Sequence, residues 1–215
     1  MLSNLHREIP MPIIQSGTSK VYYEAKGEGP ALLFAHGAGG NAAIWFNQIA
    51  YFSQTHQVIT FDHRTFGRSP VPAEQISVQN FRDDVLAIMD DLSVDAAHLV
   101  GQSMGGYTVL RRELHAPDRV LSLTLSATSG GIVNPNPSPA LKTLTSSGDN
   151  NAQGVQATMS AATKAKPALM QLYESINNFN VNFSWSHLAH LLGTDSIVQL
   201  EQPAELHPRA LIIAG

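Results

Sequence analysis

The chain has no cysteine, so neither a disulfide framework nor a thiolate metal site is open to it. It also lacks any run of about 18 consecutive apolar residues, the length a helix needs to cross a bilayer. Charge is sparse at 14% of residues, with 13 Lys and Arg against 17 Asp and Glu and no block of either sign. Nucleic acid is therefore not expected as a partner, since it calls for a basic stripe or patch. Met1 to Pro10 is mixed and polar, without the apolar core of a secretion signal. These absences lead us to expect a cytoplasmic protein with no membrane partner, no metal and no other cofactor. No internal repeat is visible.

What is present is the composition of a globular domain: 215 residues, 43% of them hydrophobic. That is enough for one sizeable core and too little for two full domains, with room for a large insertion. Short apolar runs alternate with amphipathic segments, the pattern of a parallel sheet covered on both faces. Strands are expected at Met11 to Ile14, Val21 to Ala25, Ala31 to Phe34, Val58 to Phe61, Ala97 to Val100, Val120 to Leu125 and Ala210 to Ala214, with Ser16 and Gly17 turning between the first two. Helices are expected over Ile44 to Ser53, Val78 to Leu92 and from the Ser103 turn to His115. In the second, Val78, Phe81, Val85, Ile88, Met89 and Leu92 share one face, with Asp83, Asp84, Asp90 and Asp91 opposite and Ser77 as N-cap. From Gly130 to Leu206 no strand alternation is seen. Helical patches at Leu169 to Ile176 and Trp185 to Leu192 flank no regular pattern, and Ser146 to Gly154 reads as a loop. The expected organisation is a core over 1–129, a helical cap over 130–206 and a return to the sheet over 207–215.

Gly101-Gln102-Ser103-Met104-Gly105-Gly106 follows a strand and opens a helix. A serine on so sharp a turn is held in a strained backbone conformation, and its neighbours two residues away must be small. The turn would present the Ser103 hydroxyl at the C-terminal edge of the sheet and at a helix N-terminus. Ser103 is thus the expected nucleophile. Acyl transfer needs two N–H donors for the oxyanion. One is Met104, the residue after the nucleophile. The other comes from His36-Gly37-Ala38-Gly39-Gly40, where position points to Ala38. His36 is read as a brace for that loop rather than a base. In Asp62-His63-Arg64-Thr65-Phe66-Gly67-Arg68-Ser69, the Asp and Arg are read as internal braces.

Together these motifs resemble the α/β-hydrolase superfamily, in particular its small cap-bearing esterases, lactonases and C–C bond hydrolases. The family loop Asp-x-Arg-Gly-x-Gly-x-Ser is matched at Asp62, Arg64, Gly67 and Ser69, and Thr65 stands where glycine is usual. If that position needs positive φ, Thr65 is strained by about 1–3 kcal/mol. The resemblance runs from about Gly29 to Leu125 and returns at Pro208 to Gly215. It implies an α/β fold, a mostly parallel doubly wound sheet with a helical cap. It also implies the chain order nucleophile, acid, histidine. The acid and histidine are expected beyond Gly215, with on the order of 50 residues of helix, strand and helix. The chain alone is accordingly expected to be inactive.

The resemblance implies a hydrolase of a carboxylic ester or lactone acting through an acyl-enzyme at Ser103. C–C hydrolysis and cofactor-free perhydrolysis are alternatives on the same machinery, and an inactive fragment or non-catalytic binding protein is an alternative of another class. Dehalogenase and epoxide hydrolase chemistry are disfavoured, because those relatives carry Asp where Ser103 stands. The cap holds Met159, Met170, Phe179, Phe183 and Trp185, and no arginine lies between Arg119 and Arg209. A small, neutral, apolar substrate is therefore expected, with Lys142, Lys164 or Lys166 as the alternative anchors for a carboxylate.

Overall fold

Strand β3 (Ala31–Ala35) is apolar at every position and buried at every position, which only a central strand covered on both faces can be. A computed structural model describes residues 12–72, 75–132, 159–184, 191, 196–198, 206 and 209–213. Around β3 it sets β1 (Ile13–Ser16), β2 (Ser19–Lys26), β4 (Gln57–Phe61), β5 (Ala97–Gln102), β6 (Val120–Ser126) and β7 (Arg209–Ile213) in the order β1-β2-β4-β3-β5-β6-β7. β1 and β2 form an antiparallel hairpin, β2 runs antiparallel to β4, and the remaining pairs are parallel. The architecture is the mostly parallel α/β sheet expected from the alternation of the sequence.

Helices cover both faces. On one, α2 (Val78–Asp91) and α3 (Met104–His115) bury Val85, Ile88, Met89, Val109 and Leu110 against Leu33, Ile59, Leu99 and Leu123. On the other, a short 3-10 turn (Ala42–Trp45) and α1 (Phe46–Phe52) pack Trp45, Ile49 and Phe52 on Leu32, Phe34 and Val58. Ser77 caps α2 by accepting from the Asn80 N–H at 3.0 Å. Beyond the sheet, α4 (Ala161–Lys164) and α5 (Pro167–Asn178) form the described helices of the 130–206 segment.

Three readings are corrected. Ser16 is paired with Ser19 in the β1–β2 hairpin, because the turn occupies only Gly17 and Thr18. The segment expected as a helix from Ile44 opens as a 3-10 turn and becomes α-helical only at Phe46. Asp84 is buried rather than on the polar face of α2, paired with Arg64 at 2.7 Å. The 130–206 segment contributes an isolated parallel bridge, Ile132 to Val198, and Val198 is buried in the main core. The expected loop over Ser146 to Gly154 and most of the helical patch from Trp185 lie outside the described residues.

Candidate active site

Register brings the two motifs together. β3 and β5 are neighbours with Ala35 opposite Gly101, so the loops leaving their C-terminal ends start side by side. A Cβ on Gly37 would stand 3.0 Å from the Ser103 Cβ and would collide with the Gln102 side chain. Glycine lets the first loop come this close without displacing the Gln102 side chain.

Ser103 occupies the sharp turn itself, with φ 50° and ψ −115°, immediately before α3. That is a left-handed conformation a serine pays for. Its own N–H donates to Ser126 O at 2.9 Å, and its carbonyl accepts from the Gly106 N–H at 3.0 Å. The flanking glycines are required by contact. A Cβ at Gly101 would meet the Val109 side chain and Gly105 backbone, and one at Gly105 would meet the Ala35 carbonyl.

The glycine loop is a tight turn closed by Gly40 N–H donating to Gly37 O at 3.1 Å, with Gly39 at φ 80°. Ala38 sits at the second turn position, whose N–H is left outside the turn bond. Among the described residues nothing accepts a hydrogen bond from the Ala38 or Met104 N–H. Met104 is at the first position of α3, where backbone donors have no intrahelical partner.

His36 is fully buried, and its ring is used up by the loops. Nε2 accepts from the His63 N–H at 3.0 Å, so the neutral ring carries its proton on Nδ1, which faces Gly37 O at 2.8 Å. Burial lowers its pKa to about 4, against the pull of the Gly37 carbonyl and Asp62. His63 is likewise buried and held neutral, first by burial and then by the adjacent His36; its Nε2 lies 2.9 Å from Thr108 Oγ1. Asp62 braces the loops: Oδ1 accepts from Ala42 N–H at 2.7 Å, and Oδ2 from the Arg68 backbone at 2.8 Å and its Nε at 2.9 Å. Arg64 reaches away to Asp84, to Ser19 Oγ at 2.9 Å and to Ser16 O at 3.1 Å. Burial pushes the Asp84 carboxyl up, while Arg64 pulls it down. Thr65 does carry positive φ, at 72°, and its hydroxyl donates to Asn182 O at 2.8 Å.

Met104, the residue after Ser103, belongs to an apolar cluster with Phe66, Ile76, Phe183 and Leu191, and partly buried Ala38, Tyr107, Met159 and Tyr173 pack against it. Phe183 stacks on Phe66 at 4.3 Å between ring centroids. Of the five cap residues singled out from the sequence, Phe183 and Met159 join this cluster. Phe179 does not, since it is 66% exposed, and Trp185 lies outside the described residues. Lys164 and Lys166 are exposed, and Lys142 is not among the described residues. Two polar residues escaped the sequence reading. Asn41 and Asn180 join the glycine loop to the end of α5 across 135 to 141 residues, a separation with no local signal. Among the described residues no group of three or more His, Asp and Glu side chains is placed to hold a metal ion.

The family model for the alpha/beta hydrolase fold matches residues 30–182. The chain belongs to that family. In sequence the chain is similar to a protein of Azorhizobium caulinodans named "Putative carbamate hydrolase RutD", 36% identical over 54% of this chain and 43% of that one. It is similar also to 3-oxoadipate enol-lactonase 1 of Acinetobacter baylyi, 33% identical over 55% of this chain and 44% of that one. The matched stretch thus spans less than half the length of these relatives. Among solved structures, Est816, described as an N-acyl homoserine lactone degrading enzyme, superposes with a TM-score of 0.77 at 26% identity, covering 94% of this chain and 80% of that one. The enol-lactonase of Burkholderia xenovorans has a TM-score of 0.78 at 22% identity, covering 95% and 81%, a likeness of fold alone. Among the described residues no helix is long and apolar enough to cross a membrane.

Proposed function

We propose that this alpha/beta hydrolase acts on a carboxylic ester or lactone through an acyl-enzyme at Ser103. The observation that carries the reading is Ser103 itself, strained at φ 50° on the turn between β5 and α3 and beside the Gly37 loop. Its Oγ attacks the carbonyl carbon, and the Ala38 and Met104 N–H groups bond the oxyanion that forms. Collapse of the tetrahedral intermediate expels the alcohol, and water then cleaves the acyl-enzyme. A general base takes the Ser103 proton and returns it to the departing alcohol, then takes a proton from the attacking water and returns it to Ser103 Oγ. The described histidines are poor choices: His36 and His63 are buried braces, His98 lies at the opposite end of β5 beside His56, and His115 ends α3.

Residues 1–129 and 207–215 form the catalytic core in this reading, and 130–206 the helical cap over the site. The substrate is small, neutral and apolar. Support comes from the apolar cluster that includes Met104 and Ala38, the absence of arginine from 159–184, and relatives whose names include lactonases. Steady-state hydrolysis tests this. In the full protein, with its acid and histidine in place, neutral p-nitrophenyl esters and a neutral lactone should be turned over, a carboxylate-bearing lactone less well, and S103A should abolish all of it. Full turnover by S103A would remove Ser103 from the chemistry, and a preference for the anionic lactone would overturn the substrate assignment.

A further inference from the structure

The glycine loop after β3 cannot hold its own shape. Gly37, Gly39 and Gly40 have no side chains to pack, and glycine is the residue with most backbone freedom to lose. Its one internal backbone bond, Gly40 N–H to Gly37 O, leaves the Gly39 carbonyl to be fixed from outside. The side chain that does so comes from the far end of the chain. Asn180, two residues beyond α5 and only 7% exposed, donates from Nδ2 to Gly39 O at 3.0 Å. Its Oδ1 accepts from the Gly67 N–H at 2.9 Å and faces Asn41 Nδ2 at 3.4 Å. Exchanging the amide's oxygen and nitrogen would set donor against donor at both of these contacts, so the orientation is forced. Asn41 completes the joint, donating to Ile176 O at 3.0 Å in the last turn of α5, while its Oδ1 accepts from Ala43 N–H.

We infer that Asn180 is a positioning residue, which clamps the glycine loop to the loop after β4 and to the end of α5 and so aims the Ala38 N–H at the space beside Ser103. The inference rests on the acyl-transfer reading for its catalytic consequence, but the clamp itself does not. Docking of α5 and the shape of the oxyanion loop are then one event: a cap helix that shifts takes the Gly39 carbonyl with it. The Thr65 hydroxyl bond to Asn182 O ties the same stretch of chain to the same pair of loops.

Two variants and two measurements test it. N180A removes the whole clamp. N180D keeps an acceptor for Gly67 N–H and Asn41 but removes the donor to Gly39 O. Exposed Asn178 on the same helix gives the control, N178A. By amide hydrogen exchange, N180A should exchange about tenfold faster over 37–42 and at Gly67, N180D faster over 37–42 alone, and N178A at the parent rate. In phosphonylation of Ser103 by a fluorophosphonate, in which Oγ displaces fluoride from phosphorus, N180A and N180D of the full protein should each lower the maximal rate about tenfold. The half-saturating concentration should stay within about twofold, a split that general loosening of the fold would not give. Parent-like exchange over 37–42 in N180D overturns the clamp, whether or not N180A folds. Faster exchange with an unchanged phosphonylation rate overturns the positioning role. A full parent protein that is not phosphonylated at Ser103 sinks the acyl-transfer reading and the catalytic role of Asn180 together, and exchange alone then decides the clamp.

Discussion

His36 and the Arg64–Asp84 pair are, with Asp62 and His63, among the buried ionisable groups on which the two loops beside Ser103 depend. The folded His36 ring takes up its proton only near pH 4, whereas in the unfolded chain the ring does so near 6.5. Between those values the unfolded state binds more protons, so stability is complete above about pH 6.5 and drains away as pH falls toward 4. The interval corresponds to about 3 kcal/mol, with His63 adding in the same direction. Urea midpoints at pH 7 and pH 5 should therefore differ, and the difference should shrink in H36N. Equal midpoints would mean that the ring is not held neutral. Arg64 and Asp84 carry charge into the interior, where removing one partner strands the other. R64M or D84L alone should cost about 3–5 kcal/mol, and the double variant much less than the sum. Additive losses in urea denaturation would show that the two side chains do not depend on each other.

At the level of elements, the local patterns were the readable ones. Ser77 at the cap of α2, the apolar face of that helix and the small residues around Ser103 all follow from sterics within a few residues. The existence and order of the strands were equally legible, though not their ends, since β1 was expected at Met11 to Ile14 and runs over Ile13–Ser16; the α5 helix, expected at Leu169 to Ile176, runs over Pro167–Asn178. What could not be read were contacts made over distance. Asp84 looks like one more acid on a polar face until Arg64 arrives from 20 residues away. Asn180 meets Gly39 across 141 residues, and the Ile132–Val198 bridge joins two stretches with no strand pattern. Thr65 was legible as a question, and its φ of 72° answers it. The same distinction predicts unequal costs. S77A should lose about 1 kcal/mol, the worth of a single cap. G105A drives a methyl into the Ala35 carbonyl and should lose about 1–3 kcal/mol, together with the reactivity of Ser103. A G105A protein as stable and as reactive as the parent would refute the close approach of α3 to β3.

Across the whole molecule, the sheet is well covered around β3 and bare at β7. Leu211 and Ile212 are 56% and 71% exposed, on a strand whose pairing among the described residues is to β6 only. An apolar, flat edge of this kind is a template for another strand. Light scattering should show the 215-residue chain associating as its concentration rises toward about 100 µM, and L211K should reduce this without altering the site. A monomer throughout that range would show that the edge is protected. Sheet, serine turn and glycine loop combine to make one serine reactive, which a single mass measurement tests most directly. After treatment with a fluorophosphonate, the full protein, acid and histidine included, should carry one adduct, mapped by peptide fragmentation to Ser103 and absent from S103A. An adduct that persists in S103A, or maps to another residue, would contradict the account.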